Sequence, residues 1–124
     1  MSKILPVIRI FDYNKAIEFY IDWLGFTIDW EHKPASAPVY MQLSLRDIVL
    51  RLSEHHGDGC PGTHLCIEDF TGLREYHQVL NGKNYKYNKP GLENSEWRAG
   101  EICVTVIDPF NNQLHFSEAP LTVK

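Results

Sequence analysis

The residues of this 124-residue chain that could bind a metal ion include its six histidines and three cysteines. Their spacing argues against such a site. His55 and His56 are adjacent, and neighbouring residues on an extended chain point to opposite sides, so they rarely bind one ion together. The cysteines, Cys60, Cys66 and Cys103, are odd in number and form no Cys-x-x-Cys pair. We therefore expect free, buried thiols and a solvated histidine pair.

Two of the three tryptophans lie close to carboxylates and are candidates for binding chemistry. Trp30 follows Asp29, and Trp97 lies in a polar loop, 88–100, shortly before Glu101. An indole outside the core could stack on a flat heteroaromatic ligand while carboxylates bind its cationic group; a core tryptophan is the alternative. No Ser-His-Asp or Cys-His order can be argued from the sequence, and no glycine-rich phosphate loop is present. The sequence therefore offers little support for a catalytic function.

Composition narrows the possible partners and the compartment. The formal net charge is −4 and no basic run occurs, so we do not expect nucleic acid as a partner. A mild acidic balance suits a cationic ligand. No apolar run approaches the roughly 20 residues that cross a membrane, and the N-terminus lacks the features of a signal peptide. We expect a cytoplasmic protein without membrane association.

The elements that must position these residues occur twice. A shift of 57 residues aligns the segment beginning at Ile8 with the one beginning at Leu65, and a shift of 64 aligns LRLSE at 50–54 with LHFSE at 114–118. Arg51 and His115 are therefore equivalent, and we expect them to face one shared cavity.

Each half predicts a strand, a helix and three further strands. Asp12 and Asp69 are the predicted N-caps, and Gly25 and Gly82 the predicted helix ends. The predicted strands are 5–11, 26–31, 39–45 and 48–53 in the first half, and 63–68, 85–87, 101–107 and 113–117 in the second. The sequence thus predicts an α+β fold of two β-α-β-β-β repeats, 1–57 and 58–124, within a single domain, 1–124.

Three segments resemble a known family. LPVIRIFDYNKAIEFYIDWLGF, the loop containing Glu96-Trp97 and Gly100-Glu101, and DPFNNQLHFSE are similar to the opening strand and helix, the Trp-Gly loop and the closing hairpin of bleomycin-resistance proteins. These belong to the glyoxalase/bleomycin-resistance/extradiol dioxygenase, or vicinal oxygen chelate, superfamily. The resemblance implies a curled mixed sheet, a homodimer with crevices between subunits, and binding of a cationic, partly aromatic, bleomycin-like glycopeptide.

The resemblance also bears on metal and cofactors. The positions that carry metal ligands in the family are occupied here by Leu5, Arg51, Thr63 and His115, and only the histidine can ligate. On this basis the chain is expected to need no metal or other cofactor and to have no catalytic residue. His64, which alternates with Thr63, is expected to point away from the site.

We therefore expect an antibiotic-binding protein that sequesters its ligand, rather than an enzyme. Its expected ligand-binding residues are Asp29, Trp30, Arg51, Thr63, Trp97, Glu101 and His115. Two alternatives stay open: a metal-dependent lyase, dioxygenase or thiol transferase of the same fold, and a binder of an unidentified small molecule.

Overall fold

A computed structural model of the chain describes residues 2–33, 35, 38–95 and 98–120. Over this part the elements are β1 (Val7–Arg9), α1 (Tyr13–Ala16) with a π-helical continuation (Ile17–Trp23), β2 (Thr27–His32), β3 (Tyr40–Leu45), β4 (Ile48–Ser53), β5 (His64–Ile67), α2 (Leu73–Gly82), β6 (Glu93–Asn94), β7 (Ile102–Ile107) and β8 (Gln113–Glu118). No helix among these residues has the length and apolar character needed to cross a membrane.

The strands form two four-stranded sheets with the same order, β1-β4-β3-β2 and β5-β8-β7-β6. In each sheet the first strand of the repeat pairs in parallel with the last, and the other neighbours are antiparallel. The predicted α+β fold of two β-α-β-β-β repeats is confirmed. The chain divides into two compact units, Met1–Thr63 with Asp108–Asn112, and His64–Ile107 with Gln113–Lys124.

The first helix forms as its sequence predicts. The Asp12 carboxylate accepts a hydrogen bond from the Lys15 amide at 3.0 Å, which satisfies one of the amides that a helix start leaves unpaired. Gly25, at φ +91°, lies just beyond the helix, in a conformation that costs other residues more. The apolar stripe of the helix is buried throughout: Ala16, Phe19, Tyr20, Trp23 and Leu24.

The second helix begins three residues later than predicted. Asp69 has φ +58°, whereas an N-cap residue needs an extended backbone, so the prediction that Asp69 caps the helix was wrong. Gly72 occupies the cap position, and the Glu118 carboxylate accepts hydrogen bonds from the amides of Gly72 and Leu73 at 3.0 and 3.1 Å. The cap is therefore supplied by β8, which lies far away in the sequence.

The strand predicted at 85–87 is not formed. The Asn88 amide donates to the Tyr85 carbonyl at 3.3 Å, and Asn84 before it has φ +54°, so the segment turns. The fourth strand of the second sheet is instead the two-residue β6, inside the segment predicted as a loop. Its residues pair with the start of β7.

A buried hydrogen-bond network fixes the turn between β7 and β8 within the first unit. The Tyr20 hydroxyl donates to Asp108 Oδ2 at 2.7 Å, and Asp108 Oδ1 accepts from the amides of Phe110 and Asn112, both at 2.8 Å. The Asn112 side-chain amide donates to the Arg9 carbonyl at 3.0 Å. Because every oxygen of the Asp108 carboxylate has partners, its burial is compatible with a folded core.

Candidate functional site

The side chains that could bind a ligand lie on the polar face of each sheet. In β3 the side chains of Met41 and Leu43 are buried, whereas Gln42 and Ser44, which alternate with them, are partly exposed, as alternation along a strand requires. The same alternation places Arg51 of β4 opposite the buried side of its sheet. Each sheet thus has an apolar face that forms core and a polar face that reaches solvent.

On the first sheet one row of residues crosses three strands. Trp30, Gln42 and Arg51 are aligned as register partners on β2, β3 and β4. The Arg51 guanidinium lies 5.3 Å from the centre of the Trp30 ring, and its Nε donates to Gln42 Oε1 at 3.1 Å. A cation over an indole face at this distance is attracted by the ring quadrupole.

Asp29 lies beside this row at an irregularity in the strand. The register of β2 shifts between Ile28 and Trp30, so Asp29 is the extra residue. Its carboxylate accepts hydrogen bonds from Ser44 Oγ at 2.7 Å and from Gln42 Nε2 at 3.1 Å. The hydrogen bond from Ser44, and to a smaller extent that from Gln42, lowers the pKa of Asp29. The side chain is therefore ionised well below neutral pH.

A second aromatic ring completes the group. The rings of Trp30 and Tyr40 are 5.7 Å apart between centres and tilted by 34°, and the Trp30 side chain remains 40% exposed. The sequence analysis did not single out Tyr40, although the alternation of β3 places it on the polar face. We call this group the Trp30 cluster: Asp29, Trp30, Tyr40, Gln42, Ser44 and Arg51.

On the second sheet a histidine lies at the equivalent place. His115 Nδ1 shares a hydrogen bond with Thr105 Oγ1 at 2.9 Å, and His115 Nε2 lies 3.3 Å from His64 Nδ1. His115 and Thr105 line a cavity of about 360 Å³ together with Cys66, Cys103 and the segment 93–95. We call this group the His115 cluster: His64, Cys66, Cys103, Thr105 and His115.

Burial and neighbouring charge tune two groups in this cluster. Burial, and secondarily the neighbouring His64, lower the pKa of His115 from its usual 6.5, so the ring is neutral at neutral pH. Burial and the carboxylates of Glu101 and Glu93 raise the pKa of the Cys103 thiol. At neutral pH both groups are therefore uncharged hydrogen-bonding groups.

The predicted register of β5 was wrong by one residue. Thr63 precedes the strand, its hydroxyl donates to the Cys60 carbonyl at 3.1 Å, and its amide donates to Asn112 Oδ1. His64, expected to point away from His115, instead contacts it, with 5.3 Å between the ring centres. A slip of one residue exchanges the two faces of a strand, which accounts for the error.

The other residues that the sequence predicted to bind a ligand do not form one group among the described residues. Asp29, Trp30 and Arg51 are brought together in the Trp30 cluster, and His115 lies on the second sheet. Glu101 is 5% exposed and forms an ion pair with Arg98 at 3.6 Å, so its carboxylate is not open to a ligand as expected. Trp97 lies outside the described residues, and its role stays a prediction.

The thiols differ from the expectation of burial. Cys60 and Cys66 are exposed and Cys103 is partly buried; all three are free. Among residues 2–33, 35, 38–95 and 98–120, no group of three or more His, Cys, Asp and Glu side chains is arranged to hold a metal ion. That the chain needs no metal stays a prediction, which elemental analysis of the purified protein tests.

Comparison with protein families identifies the chain. The family model described as "Glyoxalase superfamily protein" matches residues 1–121. The chain belongs to the glyoxalase superfamily. The resemblance drawn from the sequence is thereby confirmed. No curated protein sequence matches this glyoxalase-superfamily chain.

Solved structures show the same fold at low sequence identity. This glyoxalase-superfamily chain is similar to a bleomycin resistance determinant encoded on the transposon Tn5, at 20% identity over 98% of this chain and 100% of that chain, with a TM-score of 0.72. It is similar to a bleomycin-binding protein complexed with bleomycin, at 21% identity over 95% and 98% of the two chains, with a TM-score of 0.70. A glyoxalase/bleomycin resistance protein from Streptomyces sp. CB03234 is 16% identical over 94% and 100%, with a TM-score of 0.71.

Proposed function

We propose that this protein binds a bleomycin-like glycopeptide antibiotic in the cytoplasm and sequesters it without changing it chemically. The observation that carries the proposal is the pair of Trp30 and Tyr40 on the polar face of the first sheet. Protection would then depend on the amount of protein and on its affinity for the drug, because each bound molecule occupies one site.

The exposure of Trp30 supports a binding role. Tryptophan is highly buried on average, and an indole that is 40% exposed beside a second ring leaves apolar area that a flat ligand would remove from water. A planar heteroaromatic group such as a bithiazole has the shape to cover such a surface. Stacking on aromatic side chains contributes about 1–3 kcal/mol per ring in the nearest measured analogue, the bases of single-stranded nucleic acids.

The charge beside the ring pair supports a ligand with a cationic tail. Asp29 is ionised and exposed at the edge strand, Glu31 follows on the same strand, and the chain carries a formal net charge of −4. An ammonium or guanidinium group that reaches the edge of the sheet would therefore meet negative charge.

Relatives of the same fold agree with this proposal. Two of the solved structures are named for bleomycin, as a resistance determinant and as a bleomycin-binding protein, and a third is named an antibiotic binding protein from Streptomyces sp. CB03234. Identities of 14–21% do not carry the ligand over by themselves. The aromatic pair on this chain is the independent reason for the proposal.

Calorimetric titration of the protein with metal-free and copper-loaded bleomycin tests the function. We expect saturable binding, and we expect Trp30→Leu, which keeps apolar bulk but removes the ring, to weaken it by about 1–3 kcal/mol. Tyr87→Leu is the matched control, because Tyr87 is an exposed aromatic residue of the second unit, outside both clusters. Mass spectrometry of the recovered drug should show an unchanged molecule.

The proposal fails if neither form of the drug binds at micromolar concentration. It also fails if the drug is recovered with an altered mass, since a sequestering protein leaves its ligand intact. If Trp30→Leu and Tyr87→Leu weaken drug binding equally, the drug does not bind at the Trp30 cluster.

A further inference from the structure

Arg51 is the one member of the Trp30 cluster that carries positive charge. It lies on β4, between β1 and β3 in the sheet order, so its guanidinium belongs to the middle of the polar face. Its Nε is engaged by Gln42, whereas no carboxylate among the described residues forms an ion pair with it. A guanidinium has five N–H donors, so four remain for another partner after the Gln42 bond.

The hydrogen bonds around Gln42 explain why Arg51 is not paired within the cluster. Gln42 donates through Nε2 to Asp29 and accepts through Oε1 from Arg51, and its amide thus stands between the two charges. Asp29 is further engaged by Ser44. The arrangement fixes the position of the guanidinium without neutralising it.

The indole beneath Arg51 restricts the guanidinium further. At 5.3 Å from the Trp30 ring centre, the guanidinium is held over an aromatic face, and its terminal N–H groups form a planar fork suited to two oxygens of one anion. A carboxylate that is attached to a flat ring would use both features: the carboxylate on the fork and the ring against Trp30 and Tyr40.

We propose that the Trp30 cluster binds aromatic carboxylates, with Arg51 holding the carboxylate and the Trp30–Tyr40 pair contacting the ring. This inference rests on one part of the proposed function, namely that a small molecule binds at the polar face of the first sheet. It assigns a ligand class opposite in charge to the cationic drug. The cluster is bipolar, because the negative charge of Asp29 lies on the edge strand β2 and the positive charge of Arg51 lies on the interior strand β4.

Three naphthalene probes of similar size and different charge test the ligand class on the unmodified protein. We expect 2-naphthoate to bind at least about tenfold more tightly than 2-naphthamide, because a hydrogen bond to a charged group contributes more than a neutral one. We expect 2-naphthylmethylammonium to bind more weakly than 2-naphthoate. The advantage of the carboxylate should shrink as the salt concentration rises.

Variants then assign the preference to Arg51. Arg51→Gln should abolish the tenfold preference for 2-naphthoate, and Gln42→Glu should do the same while leaving Arg51 in place, because the new carboxylate would pair with it. Arg74→Gln, which removes an equal charge from the exposed surface of α2, should leave the preference unchanged. Circular dichroism and chemical denaturation establish that each variant is folded.

The outcomes separate this inference from the proposed function. If bleomycin binds and the protein binds 2-naphthoate no more tightly than 2-naphthamide, the inference is overturned and the proposed function stands. If 2-naphthoate binds with dependence on Arg51 and bleomycin does not bind, the inference stands and the proposed function is overturned. A preference that persists in both Arg51→Gln and Gln42→Glu would also overturn it.

Discussion

His115 shows how one side chain is tuned by its place in the sheet. Burial first, and the electrostatic effect of the neighbouring His64 second, lower its pKa from 6.5. In nuclear magnetic resonance titrations we expect the His115 pKa to lie below 6.5 and to rise in His64→Gln, without reaching 6.5 because burial remains. His32→Gln, which removes a histidine from β2, is the control. A His115 pKa at or above 6.5 in the unmodified protein would contradict this assignment.

The same shift sets the sign of a pH effect on stability. Between the lowered pKa and 6.5 the unfolded chain binds more protons at His115 than the folded chain. The contribution of His115 to the free energy of unfolding therefore rises with pH across this window. It falls as the solution is acidified through the folded-state pKa, and above the unfolded pKa it is constant.

At the scale of elements, the link between the first helix and the turn from β7 to β8 is a measurable feature. Tyr20 donates to Asp108 in a buried place, so Tyr20→Phe removes a charge-assisted hydrogen bond and should lower the free energy of unfolding by about 1–3 kcal/mol. Tyr13→Phe removes an exposed hydroxyl that donates to Glu31, and should change stability by less than about 0.5 kcal/mol. Chemical denaturation of both variants measures the difference, and equal effects would contradict the larger contribution expected of the buried bond.

The elements also show what the sequence could predict. The first helix was predictable, because the cap of Asp12, the apolar stripe and Gly25 are all local signals. The start of α2 was not, because its cap is the distant Glu118, and the local signal at Asp69 is overridden by a left-handed backbone.

The candidate site was predicted in part, for similar reasons. Asp29, Trp30 and Arg51 were found from residue type, family resemblance and repeat equivalence, while the placement of Tyr40 and Gln42 beside them becomes apparent only when the register of β2 and β3 is known. The bulge at Asp29 shifts that register, and a periodic pattern does not reveal a bulge. Alternation along β3 was the one available signal for its polar residues.

At the scale of the whole molecule, we expect a homodimer in solution. Each sheet has two outermost strands, and exposed strand edges are usually covered or paired. The β2 edge is poorly suited to pairing, because it carries a bulge and the charges of Asp29 and Glu31, so we expect the dimer to use other surfaces. Sedimentation equilibrium should give twice the mass of one chain at micromolar concentration. A single-chain mass throughout that range would contradict the dimer.

The segment Asp108–Asn112 has a consequence for how the protein is made. It completes the first compact unit, yet it is synthesised after most of the second. At about 5–20 residues per second, a ribosome needs several seconds to reach Asp108 after it has passed Thr63, and during that interval the Tyr20 hydroxyl and the Arg9 carbonyl lack their native partners. The N-terminal repeat therefore cannot mature before its C-terminal counterpart has largely emerged, and a nascent chain arrested before Asp108 should exchange its first-helix amides faster than the finished protein.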